Sequence, residues 1–134
     1  MTTTTLTKTP RTLIAASTSN AAGSSTRGTA DLRTAQGGLL TVKVTNGATG
    51  PTVPATVNIL VAHNSGATPA AASAGAAWKT IWSFAASTGN NVVTEQSITI
   101  DAAVMHVEVE VTGNTAQAVT CEAFMSEITS AVTA

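Results

Sequence analysis

From Met105 to Thr112, apolar and polar side chains alternate without a break. Met105, Val107, Val109 and Val111 take one parity; His106, Glu108, Glu110 and Thr112 take the other. A period of two fits only extended backbone, whose successive side chains point to opposite faces. It predicts a strand with one dry and one wet face, as in an antiparallel sheet. The pattern recurs in Leu40, Val42 and Val44 against Thr41, Lys43 and Thr45, and in Val57, Ile59 and Val61 against Asn58, Leu60 and Ala62. Val119, Cys121, Ala123 and Met125 alternate likewise with Thr120, Glu122 and Phe124. No segment holds a helical period over three turns.

The breaks between these runs are of the loop and turn kind. Thr112-Gly113-Asn114-Thr115 reads as a tight hairpin joining the last two strands, and residues 46–51 and 87–91 read as loops. About eight strands are expected, at 10–17, 26–34, 39–45, 54–63, 78–85, 94–100, 104–112 and 116–127. Residues 64–77 contain only small side chains, interrupted by Gly66, Pro69 and Gly75. They read as a long surface loop with at most one helical turn near residues 70–72. The expected fold is all-β: one antiparallel β-sandwich over residues 10–134, with jelly-roll and immunoglobulin-like topologies both open. Residues 1–9 offer Leu6 as the one large apolar side chain beyond Met1, so they read as a flexible N-terminal arm.

Composition narrows the function. The chain has 134 residues, is 43% hydrophobic but only 10% charged, and carries a formal net charge of -1. Six Lys and Arg are too few for a phosphate-neutralising surface, so no nucleic-acid partner is expected. No apolar run approaches the roughly 18 residues of a membrane helix. The short apolar stretch at 13–16 is too brief for an export signal, so synthesis and retention in a cytoplasm are expected. A single Cys fits that reducing compartment and excludes both an internal disulfide and a cysteine zinc site.

No catalytic, cofactor or metal motif emerges. His106 and Glu108 share a strand face and could act as base and orienter, or as half of a metal site. A solvated strand face explains the pair more simply. His63 sits at the end of its strand and reads as a structural hydrogen-bonding residue, and Cys121 as a small core residue rather than a nucleophile. Glu95, Asp101, Glu108, Glu110, Glu122 and Glu127 are scattered over several strands, with nothing to select a glycosidase pair. No enzyme is expected.

Trp78 and Trp82 are four apart, so on a regular strand both share a face with Phe84, while Ile81 takes the other. Packing in the core explains the Trp pair; a subunit interface or a sugar-stacking platform are the alternatives. Leu6, Trp78, Ile81, Trp82 and Phe84 are therefore the candidate interface residues. Thr and Ala supply 26 and 25 residues, leaving an outer surface of small, uncharged side chains with little entropy or desolvation to oppose packing.

The Thr-rich start, the segment TRGTADLRTAQGGLLTVKVTNG at residues 26–47 and the small Ala/Thr/Gly-rich all-β body resemble small virion structural proteins of tailed bacteriophages. These include head decoration (cement) proteins and collar or tail accessory proteins. The resemblance implies a non-enzymatic protein of the virion, assembled in the host cytoplasm. Its partners would be copies of itself, as a homotrimer, and the major capsid protein or another virion lattice. A carbohydrate-binding or adhesion module is the alternative, as is a tail, collar or baseplate component.

Overall fold

The computed structural model describes residues 1–71 and 77–134. They form eight strands: β1 (Thr4–Asn20), β2 (Ser25–Asp31), β3 (Gly38–Asn46), β4 (Thr56–Ala62), β5 (Lys79–Ala85), β6 (Val93–Ile100), β7 (His106–Thr112) and β8 (Val119–Thr133). Two four-stranded sheets result, ordered β1-β8-β3-β6 (sheet I) and β2-β7-β4-β5 (sheet II), with every pairing antiparallel.

The pairing is nested. β4 pairs with β5, β3 with β6, β2 with β7 and β1 with β8, as along one long hairpin. Rolling that hairpin up brings β3 against β8 and β4 against β7. This is jelly-roll topology, which decides between the two sandwich forms the alternation allowed.

The alternating residues meet between the sheets. Leu40, Val42, Val44, Cys121, Ala123 and Met125 of sheet I bury against Val57, Ile59, Val107, Val109 and Val111 of sheet II. Gly28 lets the two layers close at one side, since a Cβ there would stand 2.1 Å from the Leu13 carbonyl oxygen.

Several expectations change. The 112–115 segment is not a hairpin, because β7 and β8 belong to different sheets and the chain crosses between them there. Asn114 is the reason. Its side chain is buried, donates to the carbonyls of Asn20 (3.2 Å) and Gln117 (2.8 Å) and accepts from Asn20 Nδ2 (2.6 Å). Residues 4–9, expected as a free arm, continue β1 and pair with the far end of β8. Their lack of burial is nonetheless evident, since residues 1–10 are exposed throughout. Met105 precedes β7 and is exposed, and so is His63, beyond the end of β4. Part of the helical turn expected near 70–72 lies outside the described residues.

Candidate interaction surface

The two outer faces of the sandwich differ in kind. On sheet II, cross-strand neighbours Ser83, Asn58, Glu110 and Arg27 form one row across all four strands. Ser83 Oγ donates to Asn58 Oδ1 (2.6 Å), and Asn58 Nδ2 donates to Glu110 Oε1 (2.7 Å). Arg27 pairs with Glu110 and also donates Nη1–H to Glu108 Oε1 at 2.8 Å. Glu108, expected on a wet face, is fully buried.

His106 is fully buried too, because the connection after β4 folds over it. Its Nε2 lies 2.9 Å from the Asn64 carbonyl. A carbonyl only accepts, so Nε2 carries a proton, and Nδ1 lies within hydrogen-bonding distance of the Thr68 hydroxyl, at 3.0 Å. Asp31 stands 3.8 Å from Nδ1, but Arg33 engages it more closely, at 2.6 Å, and also donates to the Ser65 carbonyl at 2.9 Å. The side-chain and backbone hydrogen bonds from Arg33 hold the Asp31 carboxyl well below the usual carboxylate range. The His106–Glu108 pair is therefore a packed, hydrogen-bonded piece of the fold. No base in it faces solvent. Burial also pushes the Cys121 thiol up, keeping it protonated and inert.

The tryptophans do not share a face. A bulge in β5 places Trp82 opposite Ile59 but Thr80 opposite Leu60, so Ile81 is the extra residue and parity reverses across it. Trp82 and Phe84 pack against the core, with ring centroids 5.1 Å apart. Trp78 is 5% exposed, outside that core, and its Nε1–H donates to the Ala70 carbonyl at 3.0 Å. Of the five candidate interface residues, Leu6 and Ile81 are the exposed ones, and they sit on different sheets. An irregularity of one residue leaves no composition signal, which is why period-two reasoning missed it.

Sheet I is open on its outer side. Its cross-strand rows are Thr99–Leu39–Ser126, Ser97–Thr41–Phe124, Glu95–Lys43–Glu122 and Val93–Thr45–Thr120. Leu39, Phe124 and Val93 are 51%, 40% and 54% exposed, among hydroxyl side chains. At one end lies a groove of about 690 Å³, bordered by Lys8, Gln36, Leu39, Thr99, Asp101 and Ile128. Alternation places Phe124 outward; it gives no sign that the connection after β4 would cover one end of the other sheet and leave this one open.

Among the described residues, no group of three His, Cys, Asp or Glu side chains could hold a metal, and no helix is long and apolar enough to cross a membrane. No protein-family model matches the sequence, and no curated protein shows significant similarity to it. Solved structures do share the fold. The K3 cleaved adhesin domain of Lys-gingipain from Porphyromonas gingivalis is similar over 81% of this chain and 71% of its own, at 10% identity and a TM-score of 0.57. The structure of infectious bursal disease virus, Gx strain, is similar over 96% of this chain and 35% of that one, at 10% identity and a TM-score of 0.51. The same virus's T=1 particle protein gives 92% and 32%, at 8% identity and 0.52. This chain thus spans about a third of the viral chains, and the likeness is one of fold.

Proposed function

We propose that the protein is a non-enzymatic structural component of a tailed-phage virion, a decoration protein that packs onto the lattice of the assembled head. The observation that carries this reading is the contrast between the two outer faces. Sheet II ties up its polar groups internally and is covered at one end by its own chain. Sheet I presents a strand-built face of Thr and Ser around Leu39 and Phe124, with charge confined largely to one row. Such a face loses little on being covered by another protein surface. The jelly roll it shares with the viral chains is compatible with this role. A glycan-binding role has less support, because Trp78 is buried and Trp82 leans on the core, leaving neither as a free stacking platform.

The test has two parts. Mass spectrometry of purified virions encoded together with this chain is expected to find it in stoichiometric amount. Purified chain added to heads lacking it is expected to co-sediment with them, and Phe124→Glu is expected to weaken that binding at least tenfold with the melt unchanged. Absence from virions, or wild-type binding by the variant, overturns the reading.

A further inference from the structure

Beyond Glu127 the sandwich ends, but β1 and β8 run on together. Residues 3–7 and 130–134 form a two-stranded antiparallel ribbon, with Thr4 opposite Thr133, Leu6 opposite Ala131 and Thr7 opposite Ser130. Thr3 and Ala134 exchange both backbone hydrogen bonds, at 3.0 Å each way. Alternation makes Thr5 with Val132, and Thr7 with Ser130, the next bonded pairs. It therefore turns the N–H and C=O groups of Thr4, Leu6, Ala131 and Thr133 outward, to the ribbon's two edges.

These edges carry none of the usual protection. Proteins guard free strand edges with charge, proline or bulges. β2 has Arg27 and Asp31, β6 has Glu95, and β5 has Lys79 and its bulge. The rest of β1 has Lys8, Pro10, Arg11 and repeated register shifts. Residues 3–7 and 130–134 have no charged side chain, no proline and no bulge between them. A bare two-stranded ribbon is marginal in water and gains from further strands.

We propose that three copies of this chain associate through their ribbons, the β1 edge of each pairing with the β8 edge of the next to close a six-stranded barrel. Head-to-tail edge pairing keeps the strands antiparallel all round, and rotation about the barrel axis closes the ring. Eight strands enclose an interior just wide enough for ordinary side chains, so six suit smaller ones. One face of the ribbon fits: Thr4, Leu6, Ala131 and Thr133, where Leu6 and Ala131 form an apolar layer contributed by both strands. On the other face Val132 is backed by Thr5 and flanked by Thr7 and Ser130, so that face turns to solvent. The occupant of each edge is thus a second copy of this chain.

This deepens the assembly reading above and rests on it for purpose, though not for geometry. The full chain at tens of micromolar, followed by sedimentation equilibrium and native mass spectrometry, is expected to show about three times 13.3 kDa. Ala131→Pro removes one outward N–H while leaving the ribbon's internal bonds, and is expected to give a monomer with unchanged circular dichroism. Leu6→Glu is expected to dissociate the trimer, and Val132→Glu to leave it intact; these exposed positions keep the test decisive should the proline variant fold poorly. A wild-type monomer, a trimer that survives both Ala131→Pro and Leu6→Glu, or a trimer dissociated by Val132→Glu overturns the proposal. A monomer that still binds heads would overturn the ribbon alone; a trimer that does not bind them would overturn the decoration role alone.

Discussion

Arg27 stands on β2 with its guanidinium between two carboxylates of β7, one of them fully buried. Taking a charge out of water costs several kcal/mol unless a partner compensates it, so losing one member of such a group is worse than never having had it. Arg27→Ala is expected to destabilise the protein by about 3 kcal/mol, measured by urea unfolding. Replacing Arg27 and Glu108 together with Met and Leu is expected to recover most of that. Asp31 and Arg33 make a different pair, over a third exposed and open to solvent screening. Arg33 lowers the folded-state pKa of Asp31, so the pair stabilises above the unfolded value of about 3.9 and is lost as pH falls through the lower folded one. The stability gap between wild type and Asp31→Asn is therefore expected at neutral pH, should begin to narrow below about pH 4 and should close only as pH falls through the lower folded value. Neither pair could be read from spacing. Alternation assigns His106, Glu108 and Glu110 to one face correctly, yet what covers that face comes from residues 27 and 64–68, distant in sequence.

At the scale of elements, the alternating residues of β3, β4, β7 and β8 were legible because period two directly reports which side chains face together. Their partners were not. A turn composition such as Thr112-Gly113-Asn114-Thr115 signals a change of direction but not whether the next strand returns beside the last one or crosses to the other layer. Here the buried Asn114 decides, by bonding to the β1 end at Asn20 and bracing the crossing. The same limit left jelly-roll and immunoglobulin-like forms open, since both present the same alternation. Asn114→Ala leaves Asn20 Nδ2 only the Ser24 carbonyl at 3.1 Å, takes the Asn114 amide donor from the Asn20 and Gln117 carbonyls, and is expected to cost about 1–3 kcal/mol. Equilibrium urea unfolding checks this: the midpoint should fall with the slope unchanged. An unchanged midpoint would mean that the crossing is held by the backbone bonds of Thr115 with Thr52 and Val53 instead.

At the scale of the molecule, the division that matters is between the packed sandwich and the ribbon that leaves it. The sandwich has a core of large side chains buried between its sheets, whereas the ribbon has none, and its Leu6 and Val132 remain 48% and 58% exposed. In a single chain the ribbon therefore adds backbone hydrogen bonds, each worth about 1 kcal/mol net, against an ordering cost of about 1–2 kcal/mol per residue. Deleting residues 2–9 is expected to leave the stability of the isolated fold nearly unchanged. Its effect should appear instead through mass action, because a trimer stabilises its folded subunits increasingly as concentration rises. The wild-type melting temperature is thus expected to climb with protein concentration. That of the truncated chain should stay flat and coincide with the wild-type value at high dilution. Differential scanning fluorimetry from about 1 to 100 micromolar separates the cases, since self-association shifts the equilibrium by RT ln of concentration over Kd. If truncation lowers the melt equally at every concentration, residues 4–9 are structural members of sheet I, and the ribbon has no separate role.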